Sequence, residues 1–252
     1  MLHYTSNGVG KTIVLIHGFC EQSTCFNEQV FLLKADYNVI TIDLPGHGQS
    51  PVMPSFTMND VADEVHKILN AESVTSCIMI GHSMGGYVTL AFAKKFGSTL
   101  KGFGLLHSTA NADSDERKAK REQAIKLVSA HGPGIYVRNF IPPLFADGFS
   151  AATIAERQLA NEHLTAETLV ACLTAMKNRD DSNALLAETT LPVAFLIGKN
   201  DALIPASDML KQAASVKTAM VTILKEAAHM GMLEEPVKVA KAIQEFAELC
   251  FE

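Results

Sequence analysis

Short apolar runs of strand character alternate with longer stretches of helical periodicity along most of this 252-residue chain, and that alternation narrows its fold more than any other feature. The strand candidates are Thr12–His17, Val39–Asp43, Ser76–Ile80, Gly102–Leu106, Val193–Ile197 and Val221–Leu224. Between them, Thr57 with Asp60 three positions later opens a capped helix that runs to about Asn70. Met84–Phe96 and Glu235–Phe251 also read as helices, the second with Pro236 in its first turn. Strands separated by helices imply an α/β fold with a parallel sheet covered on both faces.

One segment breaks the pattern. From Ser108 to about Thr190 there are helical stretches (Asp113–Ala130, Ala151–Glu162 and Thr165–Asn178) but no convincing strand, with Pro133, Pro142 and Pro143 marking turns between them. The expected organisation is a core built from residues 1–107 and 191–252, with residues 108–190 inserted as a helical cap. With 48% hydrophobic residues, a chain of this length buries one sizeable core.

The formal net charge is −6, and no Lys/Arg cluster stands out that would track a phosphate backbone, which argues against a nucleic-acid partner. The densest charged stretch, Asp113 to Arg121, mixes both signs and reads as a solvated helix face. Met1 to Lys11 lacks the pattern of a secretory leader, and no run approaches the roughly 18 apolar residues of a membrane span. Cys20, Cys25, Cys77, Cys172 and Cys250 are odd in number, scattered and nowhere spaced as C-x-x-C. They fit reduced thiols in a cytoplasm better than a disulfide framework or a zinc site. Gly8-Val9-Gly10-Lys11-Thr12 imitates the end of a phosphate-binding loop, but the glycine required five residues before Gly10 is Thr5, and the segment precedes a strand instead of following one.

Chemistry concentrates at Gly81-His82-Ser83-Met84-Gly85-Gly86, between the strand Ser76–Ile80 and an apolar helix. A serine on a sharp strand-to-helix turn needs small residues two positions to either side, and Gly81 and Gly85 supply them. Serine is a weak nucleophile unless a base takes its proton, and the base must be held in one tautomer by a third group. For this arrangement the chain order is Ser, then Asp or Glu, then His. Of the nine histidines only His229 follows the late strand Val193–Ile197. In between, Gly198-Lys199-Asn200-Asp201 puts a carboxylate at a strand's C-terminal edge, where ligands bind in open α/β sheets. Asp201 is therefore the candidate acid. It would equally serve as a turn or cap residue, with Asp208, or Asp113 after another strand, as alternatives. The oxyanion of an acyl-transfer intermediate calls for backbone N–H donors, and those of Met84 and Phe19 are the candidates. His17, beside Phe19, reads as a structural histidine.

His17-Gly18-Phe19, the run Asp43-Leu44-Pro45-Gly46-His47-Gly48-Gln49-Ser50, the Ser83 motif, Gly198–Asp201 and the late His229 together resemble the α/β-hydrolase superfamily, its carboxylesterase-like capped members in particular. The markers span nearly the whole chain outside 108–190. The resemblance implies a mostly parallel eight-stranded sheet, a helical cap over the active site, a small-molecule substrate, and neither cofactor nor metal. It also implies that Asp43–Ser50 is mainly structural. Ser83 argues against the dehalogenases and epoxide hydrolases of the superfamily, which use aspartate. Similar enzymes of menaquinone synthesis carry arginine where Tyr87 stands here. The expected activity is cleavage of a small carboxylic ester through an acyl-enzyme on Ser83. Lactonase, carbon–carbon bond hydrolase and cofactor-free perhydrolase use the same triad, and a slow-turnover ligand-sensing receptor is the alternative from another class. Oligomeric state is left open by the sequence.

Overall fold

A computed structural model describes all of residues 1–252. Its strands are β1 (Tyr4–Asn7), β2 (Thr12–Ile16), β3 (Asn38–Ile42), β4 (Cys77–His82), β5 (Leu100–Leu106), β6 (Val193–Gly198) and β7 (Ala219–Leu224), joined in one sheet of order β1-β3-β2-β4-β5-β6-β7. Only β1 runs antiparallel to its neighbour. Every residue of β2, β4 and β6 is buried, which is why these segments are apolar throughout instead of alternating.

The sheet has seven strands where eight were expected. The additional edge strand, β1, is short, polar and partly exposed, and is held by pairs such as Thr5 opposite Thr41. Beyond it the ladder ends. The His3 carbonyl still accepts the Asp43 N–H (2.9 Å), but the His3 N–H turns to Ser50 Oγ (2.8 Å).

Helices α1 (Asn27–Leu33) and α11 (Pro236–Phe251) pack together, as do α2 (Met58–Ala71) and α3 (Met84–Phe96), and both α3 and α11 cover β4 and β5. Thr57 and Asp60 close the expected capping box at the start of α2. Between β5 and β6 lie α4 (Asp115–His131), α5 (Pro133–Phe140), α6 (Ala151–Ala160), α7 (Ala166–Lys177) and α8 (Asn183–Glu188), with no strand among them. Pro133 begins α5 where a turn was expected, because a first helical position needs no N–H and proline's fixed φ already suits it. After β6 follow α9 (Ala206–Ala213) and the one-turn α10 (Gly231–Glu234). No helix is long and apolar enough to cross a membrane.

Register decides where chemistry can occur. Ile16 lies opposite Gly81, His82 opposite Leu106 and Leu106 opposite Leu196. The residues that follow β2, β4, β5 and β6 therefore emerge side by side along one edge of the sheet.

Candidate active site

Ser83 caps the start of α3 with φ +50 and ψ −114, a left-handed geometry rare outside glycine and worth about 1–3 kcal/mol of strain. The surroundings enforce it. A Cβ on Gly81 would run into the Gly85 backbone, and one on Gly85 into the Ile16 carbonyl, so neither position accepts a side chain. The Ser83 N–H donates to the Leu106 carbonyl (3.0 Å), and its own carbonyl accepts from Ser108 Oγ (2.7 Å). The serine is left half-buried on the surface of the edge.

His229 and Asp201 meet on the loops after β7 and β6. The Nδ1–H of His229 donates to Asp201 Oδ2 at 2.8 Å, with both side chains almost wholly buried. The other carboxylate oxygen, Oδ1, accepts the N–H groups of Leu203 and Ile204, each at 2.9 Å. One oxygen of Asp201 thus serves the turn and the other faces the histidine. Burial pushes the Asp201 carboxyl up, but the His229 and His107 contacts outweigh it and hold the group well below the usual carboxylate range. The alternative acids lie elsewhere: Asp208 is paired with Lys211 on α9, and Asp113 is locked between Arg121 and Arg179.

His107 is the residue that sequence reasoning missed. It follows β5 with φ +48 and no solvent exposure, and its Nδ1 lies 3.3 Å from Asp201 Oδ2. Its Nε2 accepts the Gly231 N–H at 3.1 Å, and the Gly198 N–H reaches Nδ1 at 3.2 Å. Burial pushes the ring's pKa down, against the pull of Asp201. The one sequence signal was a histidine directly after a core strand, on the same edge as Ser83.

The ligand atoms of His107, Asp201 and His229 all lie within 4.8 Å of one another, close enough to converge on one metal ion. It fits poorly. The polar atoms already satisfy each other, all three residues are buried, and an ion would have to displace the Nδ1 proton through which His229 reaches Asp201.

The loop after β2 brings Phe19 to the elbow. A Cβ on Gly18 would lie 3.1 Å from the Ser83 Cβ, and the Phe19 N–H makes no backbone hydrogen bond. The Met84 N–H opens α3, where helices leave their first donors unmatched. His17 is structural: its Nε2 accepts the Leu44 N–H (2.9 Å), its Nδ1–H donates to the Gly18 carbonyl (2.7 Å), and burial pushes it down to about 4. Asp43 likewise braces the loops after β2 and β3 through the N–H groups of Ser23 and Gln49.

Aromatic side chains cluster next to the Phe19 loop and within residues 136–149. Phe19 meets Phe140 edge-on at 5.4 Å, Tyr136 stacks on Phe140, and Phe145 stacks on Phe149. A separate cavity of about 180 Å³ opens beside α3 between Tyr87, Thr109 and Arg179, but contains none of Ser83, Asp201 or His229. Tyr87 lies under the Arg179 guanidinium (3.8 Å), whose charge is already committed to Asp113.

A family model described as the alpha/beta hydrolase family matches residues 13–242. The solved structure of a thermophilic esterase from Thermogutta terrifontis, with malate bound, superposes with a TM-score of 0.94 at 30% identity, covering 99% of this chain and 93% of that one. The (E)-2-((N-methylformamido)methylene)succinate hydrolase of Acinetobacter baylyi is 24% identical over 254 residues, 98% of this chain and 94% of its own. The pimeloyl-(acyl-carrier protein) methyl ester esterase of Neisseria meningitidis is 26% identical over 248 residues, 94% of this chain and 77% of its own.

Proposed function

The chain belongs to the alpha/beta hydrolase family, and on that premise we propose that it is a serine esterase acting on a small carboxylic ester, with Ser83 as nucleophile, His229 as general base and Asp201 as the acid that orients it. That it is an enzyme of hydrolase type follows from the family and from its esterase and hydrolase relatives. The observation that carries the finer reading is the 2.8 Å bond from His229 Nδ1 to a buried carboxylate. It leaves Nε2 as the free, basic nitrogen on the edge where the strained Ser83 turn presents its hydroxyl.

In this mechanism the Ser83 Oγ attacks the ester carbonyl while His229 Nε2 takes its proton. The negative charge that develops on the carbonyl oxygen is met by the Phe19 and Met84 N–H groups. The imidazolium, stabilised by ionised Asp201, passes the proton to the departing alkoxide. Water then repeats the cycle on the acyl-enzyme, releasing the acid and restoring Ser83. Residues 108–190 act as a cap that closes the acyl site with Tyr136, Phe140 and Phe145 and excludes water. The enzyme works in the cytoplasm, without cofactor or metal, on a small-molecule substrate.

Two measurements test this reading. A fluorophosphonate probe should label wild type at Ser83 alone and leave Ser83→Ala untouched; label elsewhere sinks the nucleophile. On a short-chain aryl ester the protein should turn over continuously at a rate in the usual range of roughly 1 to 1,000 per second. A stall after one equivalent favours the ligand-sensing reading instead.

A further inference from the structure

Three consecutive backbone N–H groups carry the proposed base, and each is held from outside its own loop segment. The N–H groups of Ala228 and Met230, on either side of His229, both donate to Glu234 Oε2 at 3.0 Å. The His229 N–H donates to the Leu144 carbonyl at 2.8 Å. The second carboxylate oxygen, Glu234 Oε1, accepts the Ala146 N–H at 2.7 Å. Leu144 and Ala146 belong to the turn between α5 and α6, in the segment that stands over the site. On its far side the His229 carbonyl accepts the Nε2–H of His82, from the nucleophile turn, at 2.8 Å.

The geometry points to Glu234 as a positioning residue that couples seating of the segment over the site to placement of His229, one carboxylate oxygen gripping the histidine loop and the other gripping that segment. A carboxylate suits the task because all three of its partners are donors, and hydrogen bonds to an ionised acceptor are about twice as strong as neutral ones. An amide in its place keeps one oxygen and turns an NH₂ donor toward an N–H donor. When the Leu144–Ala146 turn lifts, the His229 N–H and Glu234 Oε1 lose their partners together. The base is therefore assembled only beneath a closed cover, the state in which water is excluded.

The inference rests on the reading of Ser83 and His229 as nucleophile and base, and the test keeps the two apart. Steady-state kinetics on a short aryl ester and fluorophosphonate labelling are measured for wild type, Glu234→Gln, Ala146→Pro and the double variant. The extended backbone of Phe145 (φ −98, ψ 153) accommodates a following proline, which removes the donor to Oε1. Glu234→Gln should lower kcat on the order of ten- to a hundredfold with KM for the short ester nearly unchanged, as sub-ångström displacement of a base does. Ala146→Pro should lower kcat in the same sense, and the double variant should fall little below Glu234→Gln, since the two act through one carboxylate. Loss confined to KM, additive losses in the double variant, or wild-type kcat in either single variant overturns the coupling. If Glu234→Gln does not fold, Ala146→Pro alone decides, because wild-type kcat there is incompatible with the proposal. Absence of Ser83 labelling in the wild type sinks the triad reading instead.

Discussion

His107 Nδ1 lies 3.3 Å from the same Asp201 oxygen that receives His229 Nδ1 at 2.8 Å, so the carboxylate that faces the base is shared between two histidines. His107 has no solvent exposure at all, and His229 is itself almost wholly buried. Through its Nε2 the His107 ring also fixes Gly231, two residues after His229. Replacing it should therefore perturb both the acid and the histidine loop.

His107→Leu should lower kcat on the short ester by roughly tenfold, less than loss of Asp201 itself, and should destabilise the fold by about 1–3 kcal/mol, because the Gly231 N–H is left without an acceptor inside the protein. Urea unfolding and steady-state kinetics read the two effects separately. Full activity in a variant of unchanged stability shows that Asp201 needs only its backbone donors and His229.

Asp201→Asn tests the acid directly. The amide can still accept from Leu203 and Ile204 but cannot stabilise an imidazolium, so the turn should survive while kcat falls by about a thousandfold to ten-thousandfold. Asn200→Ala, whose side chain reaches only the carbonyls of Lys225 and Glu226 at 3.3–3.4 Å, should cost far less. Added to Ser83→Ala, the Asp201 change should remove little more, since such residues act as a unit. Near-normal turnover in Asp201→Asn would remove it from the mechanism.

The aromatic cover makes a different prediction. Phe140 packs against Phe19 and Tyr136, so Phe140→Ala should alter preference among acyl chains of different length while leaving kcat on acetate esters within a few-fold. A uniform loss across a series of p-nitrophenyl esters points to misfolding.

Much of this was legible where local sequence sufficed. The continuous apolar runs of β2, β4 and β6, and a serine flanked by glycines between a buried strand and a helix, carry their meaning within a dozen residues. β1 was invisible because Tyr4–Asn7 is a polar edge strand whose stability comes from pairing with β3, far along the chain. Pro133 was ambiguous because proline suits both a turn and a first helical position. His107 and Glu234 were unreadable for a stronger reason. Each acts through backbone groups of loops about 90 residues or more away in sequence, Gly198 and Gly231 for the first and Ala146 for the second. No spacing rule announces such partners.

Glu21 yields the last prediction, on pH. It follows the Phe19 loop, is almost wholly buried, and neither carboxylate oxygen has a hydrogen-bond partner. Burial pushes its pKa from 4.5 up to about 8, and the Arg157 charge offsets this only in part. Between those values the native state holds a proton that the unfolded chain has released, so stability is greatest below about pH 4.5 and falls as pH rises toward 8, by at most about 1.4 kcal/mol per unit. The buried His17 and His47, pushed down to about 4 and about 3, impose the opposite slope below pH 6.5. The informative quantity is therefore the difference between Glu21→Gln and wild type, in which those terms cancel. An amide cannot ionise, so the variant should gain stability over wild type progressively from pH 5 to pH 8, with the largest gain at the alkaline end. Urea unfolding at pH 5, 6.5 and 8 measures it. A difference that stays constant with pH means that Glu21 is ionised in the native state, paired with Arg157 in solution.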